Sequence, residues 1–347
     1  MKYLILYHGG NCTDGQLSAF LFWKAFKKNI PDYETACEFV EVQYGDIPPD
    51  ATGKHVYILD FSYSPEKIKE YFSTAESIRI LDHHLSAYQE HLLYAIAVKN
   101  EAPLDEEQVA KAIEEYPFTG YKRFSHAGTC CNNGHAYAAF AKERSGCGMA
   151  MDYLDRAAEI ATILAETDRE DQRLLHWVER IEDRDLWKFK YEDTKVIYEL
   201  LNSVPKTFKG WDALLNLDTH TYSMLLERAS ARVTMRTELA QSLAKHAEPV
   251  LLFDKLGVAV NTPSFLASEV GAILSETHDY AIMYVVNSES TILSFRSKEG
   301  VGANVSEICK KLGGGGHRNA AGVKIDTAIF NNRLSIWARA AKMKLGN

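Results

Sequence analysis

The 347-residue chain has no run of about 18 or more uncharged apolar residues, so no membrane-spanning helix is expected in it. It also lacks an excess of positive charge: 39 Lys and Arg stand against 47 Asp and Glu, a formal net charge of −8. That balance excludes an extended, sequence-independent grip on long duplex nucleic acid, which relies on many Lys and Arg contacts to phosphates. A small anionic substrate in a local basic pocket stays compatible with it. The six cysteines, Cys12, Cys37, Cys130, Cys131, Cys147 and Cys309, form no CxxC pair. The apolar stretch Met1–His8 is too short for a signal peptide and has no small-residue cleavage site. Free thiols in a reducing cytoplasm are therefore expected. Internal repeats are absent, and so is low-complexity sequence beyond Gly313–Gly316. What is present, 46% apolar and 25% charged residues, is the composition of a soluble globular protein long enough for two cores.

Apolar runs at residues 3–7, Phe39–Val42, Val56–Leu59 and Ile78–Leu81 read as strands. Helical patterns fall between several of them, including Asp14–Ile30 with Leu17, Phe20, Leu21 and Phe26 roughly on one face. This alternation predicts an α/β fold with a doubly wound parallel sheet. In such sheets ligands bind beyond the carboxyl ends of the strands. His8, Asp60 and Asp82 each stand where an apolar run stops, so three strands are expected to deliver metal-type ligands to one crevice.

Residues 100–190 read as mainly helical, at Leu104–Tyr116, around Gly134–Arg144, at Met151–Glu166 and at Asp171–Glu182, with 100–125 as an insertion. A polar helical stretch between Pro205 and Pro249, with a long helix over Tyr222–His246, reads as a connector. Strands at Val250–Phe253, Gly257–Val260, Ala281–Val286 and Thr291–Phe295 then alternate with helices at Phe265–Glu276 and Asn304–Leu312. The expected organisation is an N-terminal domain over 1–205, a helical connector over 206–249 and a smaller α/β domain over 250–347.

Five elements carry chemistry. Ile80-Leu81-Asp82-His83-His84 ends an apolar run in a carboxylate and two imidazoles that packing does not require. Adjacent histidines cannot both point the same way off a strand end, so one is expected to ligate a metal and the other to face substrate. His8, Cys12, Asp14 and Gly15 share a glycine-rich turn between strand and helix, which can aim three ligands at one point. Asp60 would ordinarily read as a helix cap, but Ser64-Pro65-Glu66 supplies a cap of its own and leaves it free. Glu182-Asp183-Arg184-Asp185, taken alone, reads as a solvated helix end. Gly313-Gly314-Gly315-Gly316-His317, followed by Ala320-Ala321-Gly322, lets backbone N–H groups approach a phosphate closely, at an entropic cost too high for an idle segment.

In this order the five elements resemble the DHH/DHHA1 phosphoesterase superfamily, which includes nano-RNA and linear-dinucleotide phosphodiesterases, cyclic-dinucleotide phosphodiesterases, RecJ-type exonucleases and phosphoadenosine phosphatases. Asp82-His83-His84 matches the tripeptide that names the N-terminal DHH domain, and the Gly-Gly-Gly-His run with Ala320-Ala321-Gly322 matches the DHHA1 signature. The resemblance implies a DHH domain, a connector and a DHHA1 domain, and two manganese ions. One ion would be held by His8, Cys12 and Asp60. The other would be held by Asp14, a bridging Asp60, His83 and Asp183, the last preferred over Asp185 because it follows the helix directly. Metal-activated water would be the nucleophile. His84, Arg296, His317 and the amides of Gly313, Gly314, Gly315 and Gly316 would hold the phosphate, and Asp82 would orient the histidines. The family commonly carries Asp where this chain has Cys12, a softer ligand that manganese favours less.

The function so implied is a cytoplasmic hydrolase that cleaves short oligonucleotides or dinucleotides to 5′-mononucleotides. A 3′-phosphonucleotide phosphatase, a cyclic-dinucleotide phosphodiesterase and a catalytically impaired nucleotide-binding regulator are the alternatives. The expected partner is the short substrate, with no long duplex and no membrane. The connector helix is compatible with a homodimer contact or an interdomain hinge.

Overall fold

The computed structural model describes residues 2–10, 12–125, 136–156 and 169–346. Cys130, Cys131 and the end of the helix expected over Met151–Glu166 lie outside the described residues. The chain divides into two compact units, Met1–Ser230 and Ala231–Asn347. The division falls within the helix Thr219–Ala244, so the segment expected as a separate connector is shared between the units. Tyr222 and Ala229 pack into the core of the first unit, and Ala240 packs into that of the second.

The first unit is built on six strands, β1 (Tyr3–His8), β2 (Cys37–Val42), β3 (His55–Leu59), β4 (Ser77–Asp82), β5 (Tyr121–Ser125) and β6 (Ala136–Ala141). Their order is β2-β1-β3-β4-β6-β5, parallel except for β5, which closes one edge antiparallel to β6. Successive strand side chains point to opposite faces. Ile5, Tyr57, Leu59 and Leu81 accordingly enter one apolar layer, with Phe20, Phe22 and Trp23 of the helix Thr13–Asn29. Leu4, Leu6, Val56, Ile58 and Ile80 enter the opposite layer, with Tyr88 and Leu92 of the helix Leu85–Asn100. Burial on both faces is why these strands read as unbroken apolar runs.

Around Gly134–Arg144 the expected helix is instead the strand β6. Its four alanines favour a helix locally, but Ala138 and Ala139 are fully buried between β4 and β5. Pairing and burial there override a propensity difference of less than about 1 kcal/mol per residue. β5 likewise lies inside the segment read as an insertion.

The second unit holds β7 (Glu248–Leu252), β8 (Lys255–Asn261), β9 (Ala281–Val286), β10 (Ser290–Arg296), β11 (Gly315–His317) and β12 (Ala320–Asp326), in the order β11-β12-β10-β9-β8-β7. The β8–β9 pair is parallel and the others are antiparallel. Among the described residues, no helix is long and apolar enough to cross a membrane.

Candidate metal centre

Strand register assembles the site. Tyr7 pairs with Leu59, and Leu59 pairs with Leu81, so the next residues, His8, Asp60 and Asp82, leave three adjacent parallel strands abreast. Asp60 stands at φ +54°, a left-handed conformation that costs a non-glycine residue roughly 1–2 kcal/mol. Ser64 caps the helix Pro65–Tyr71, so Asp60 does not serve as its cap. Cys12 is the N-cap of the helix Thr13–Asn29, and its sulfur accepts from Gly15 N at 3.4 Å.

These positions converge on Asp60. His83 Nε2 lies 3.0 Å from Asp60 Oδ1, while Cys12 Sγ donates to Asp60 Oδ2 at 3.2 Å and His8 Nδ1 lies 3.5 Å from that same oxygen. His83 Nε2 is also 3.4 Å from Asp185 Oδ2 and 3.9 Å from Asp14 Oδ2. Three ligand groups result, His8 with Cys12 and Asp60, Asp60 with His83 and His84, and Asp14 with His83 and Asp185, each with its donor atoms within 4.8 Å of one another.

Asp185, not Asp183, reaches this cluster, which corrects the expectation drawn from the sequence. Asp183 is buried and turned to other work: its carboxylate accepts from Lys190 N at 2.9 Å, Tyr191 N at 3.4 Å and Thr194 Oγ1 at 2.5 Å. It thereby fastens the turn that follows the helix Arg169–Asp185 to the start of the helix Thr194–Asn202.

Asp82 is completely buried, and its Oδ1 accepts from His83 N at 2.7 Å and His84 N at 3.2 Å while hydrogen-bonding His84 Nδ1 at 2.6 Å. It thus fixes the backbone of both histidines and the ring of the second. Burial opposes a charged His84, but the Asp82 carboxylate outweighs it and raises the imidazole to about 9.

The electrostatics describe anionic groups crowded out of water. Burial, then Asp60 and Asp185, pushes the Asp14 carboxyl well up. Burial, then Asp60, Asp14 and Asp185, does the same to the Cys12 thiol. Burial disfavours imidazolium at His83, yet Asp185, Asp60 and Asp14 together hold it well above its ordinary value. Asp60 is the exception: burial opposes its ionisation, but the His8 and His83 imidazoles keep it well below the carboxylate range. A divalent cation relieves this kind of repulsion and keeps the ligands deprotonated. His8 Nδ1 is buried with no hydrogen-bond partner among the described residues, and a buried imidazole nitrogen of this kind fits a metal ion. The donor set therefore suits divalent cations, with the Cys12 sulfur making the His8 side the softer.

In the second unit the glycine run is less loop-like than its composition suggests, since Gly315–His317 is the edge strand β11. Ala320 pairs with Arg296 on one side and with His317 on the other, so the register places Arg296 and His317 in one cross-strand row. Gly316 has φ +137°, and a Cβ on it would stand 2.6 Å from Ala321 Cα.

Residues 257–339 match the family model of the DHHA1 domain. The second unit thus contains a DHHA1 domain. An uncharacterized protein of Acanthamoeba polyphaga mimivirus is 22% identical to this chain over 340 residues, which is 92% of it; the chain spans 66% of that protein's length. Among solved structures, exonuclease RecJ bound to manganese aligns with a TM-score of 0.49 and 14% identity, over 97% of this chain and 90% of that one. RecJ from Thermus thermophilus in complex with Mn2+ aligns with a TM-score of 0.46 and 13% identity, over 97% of this chain and 52% of that one.

The first unit contains site residues that motif reading passed over. Asp14 accepts from Ser145 Oγ at 2.8 Å, Gly146 N at 2.6 Å and Cys147 N at 3.0 Å, at the start of the helix Gly146–Arg156. A Cβ on Gly146 would stand 2.4 Å from Asp60 Cβ, so only glycine lets this helix come so close. Ser145 just before a helical run was the available signal, being a cap-type residue.

Proposed function

We propose that this chain is a manganese-dependent phosphodiesterase that hydrolyses short oligonucleotides or dinucleotides to 5′-mononucleotides. The observation that carries the reading is the carboxylate of Asp60, whose Oδ1 faces His83 while its Oδ2 faces Cys12 and His8. One carboxylate shared by two ligand groups is what a pair of cations needs for an in-line displacement at phosphorus. His8, Cys12 and Asp60 would hold one ion, and Asp14, Asp60, His83 and Asp185 the other. When bound, the ions would supply activated water and neutralise charge on the phosphate oxygens.

The protein groups do the rest. Asp82 holds the His84 ring and favours its charged form, which suits His84 to donate to a phosphate oxygen. Arg296 and His317, with the backbone amides of Gly315 and Gly316, would be the phosphate-holding groups of the DHHA1 unit; the amides of Gly313 and Gly314, also expected from the sequence, donate instead to Lys310 O and Cys309 O. The net charge of −8 supports a short substrate, because a long strand would reward a basic track. A reducing cytoplasm suits the free thiols at Cys12, Cys37, Cys147 and Cys309.

The test is incubation of the purified chain and Mn2+ with a linear dinucleotide, a cyclic dinucleotide, 3′-phosphoadenosine-5′-phosphate and a longer single strand. Faster turnover of the linear dinucleotide, to 5′-mononucleotides, is expected. Preference for another of the four reassigns the substrate, and no turnover with tight binding of one overturns the enzyme reading in favour of a nucleotide-binding regulator.

A further inference from the structure

A cleft of about 90 Å³ opens against the ligand residues Cys12, Asp14 and Asp185, and Arg184 and Tyr198 form part of its remaining wall. It has room for a phosphoryl group with adjoining water. The Arg184 guanidinium carbon lies 3.4 Å from the centre of the Tyr198 ring, so the planar group is stacked on the aromatic face. Stacking restrains an arginine fork while leaving its N–H edges available for hydrogen bonds. The Arg184 charge favours ionisation of the neighbouring Asp185 carboxyl, whose Oδ2 faces His83 at 3.4 Å.

The support beneath Arg184 runs through residues already described. Asp183 binds Thr194 at the start of the helix Thr194–Asn202, and that helix carries Tyr198. The neighbouring Asp185 carboxylate attracts Arg184, and Tyr198 stacks on it, so the guanidinium is held at the cleft wall, where a phosphate seated beside the ligand residues would meet it.

We infer that Arg184 is a substrate-binding residue, whose guanidinium takes non-bridging oxygens of a nucleotide phosphate seated in the cleft beside the metal centre. The inference rests on the phosphodiesterase reading above for its substrate class. The competing account makes Arg184 a packing residue that joins two helices through Tyr198.

The experiment uses the full-length, Mn2+-loaded protein and the variants Arg184→Met, which keeps an unbranched stem over Tyr198, and Arg184→Lys. Calorimetry measures the affinity for adenosine 5′-monophosphate and for Mn2+, and steady-state kinetics on a linear dinucleotide give KM and kcat. In Arg184→Met, adenosine monophosphate affinity should fall and KM rise by roughly 10- to 100-fold, the loss of a charged phosphate contact. kcat should stay within about threefold, because the interaction is made in the ground state as well as the transition state. Mn2+ affinity should be unchanged and Arg184→Lys intermediate. Affinity and KM within about twofold of wild type, with the dinucleotide still turned over, overturn the inference and leave the phosphodiesterase reading standing. A wild type that cleaves no dinucleotide, yet loses monophosphate binding in Arg184→Met, sinks the phosphodiesterase reading and keeps Arg184. A wild type that binds no monophosphate overturns the Arg184 assignment.

Discussion

Replacing Asp183 and Asp185 one at a time by alanine should separate stability from metal binding, because two carboxylates two residues apart do different work. Asp183 is 3% exposed and accepts from Lys190 N, Tyr191 N and Thr194 Oγ1, and Thr194 is itself fully buried. Asp183→Ala leaves those donors unpaired, and hydrogen bonds to a charged acceptor are worth roughly 1.5–3 kcal/mol, so a loss of about 2–4 kcal/mol is expected for the set. Asp185, with its side chain 28% exposed and facing His83, should cost little stability when removed. Its loss should weaken Mn2+ binding at least roughly 10- to 100-fold, the range reached even by outer-shell partners.

Four of the five tryptophans, Trp23, Trp177, Trp187 and Trp211, lie in the first unit and Trp337 in the second, so urea unfolding followed by tryptophan fluorescence in a Trp337→Phe background reports on the first unit, and calorimetry reports on Mn2+. The pH dependence gives a second readout. Burial opposes ionisation of Asp183, but Thr194 and the amides of Lys190 and Tyr191 hold its carboxyl below the ordinary 3.8. A depressed folded value contributes stability that is present above 3.8 and is lost as pH falls through it, so the gap between wild type and Asp183→Ala should narrow below that pH. Weakened Mn2+ binding in Asp183→Ala with unchanged stability, or the reverse in Asp185→Ala, would refute the assignment.

Asp82→Asn removes the carboxylate that holds His84 up at about 9, so in metal-free protein the His84 ring should titrate lower by NMR, back towards its ordinary 6.5. The interval between those two values corresponds to about 3 kcal/mol of stability, present below pH 6.5 and lost as pH rises through 9; an unshifted titration contradicts this. Cys12→Asp should shift metal preference from Zn2+ towards Mn2+, since a carboxylate is the harder ligand, and an unchanged affinity ratio would show that Cys12 does not ligate. Gly316→Ala should lower the unfolding temperature of the second unit by the equivalent of about 1–3 kcal/mol, because φ +137° and the Ala321 backbone leave no place for a Cβ. An unmoved transition by calorimetry would discount that conflict.

The sequence by itself determined the α/β class and the carboxyl-terminal strand positions of His8, Asp60 and Asp82. Strands buried on both faces must be apolar throughout, so a polar residue at the end of each run marks where the chain leaves the sheet. The resemblance of its motifs likewise pointed to the second unit, where the DHHA1 match lies. Tertiary structure alone decided the rest. Ala136–Ala141 became a strand through pairing partners on both sides, against a local preference that alanine gives to helix. Ser145, Gly146 and Cys147 reach Asp14 from more than a hundred residues away, a contact that no local pattern encodes. Asp183 and Asp185 look alike in sequence, and they diverge because the backbone turn at 188–191 and the Thr194 hydroxyl claim the first carboxylate while His83 lies within reach of the second. Identical side chains were given different chemistry by the hydrogen-bond donors that the fold set beside each.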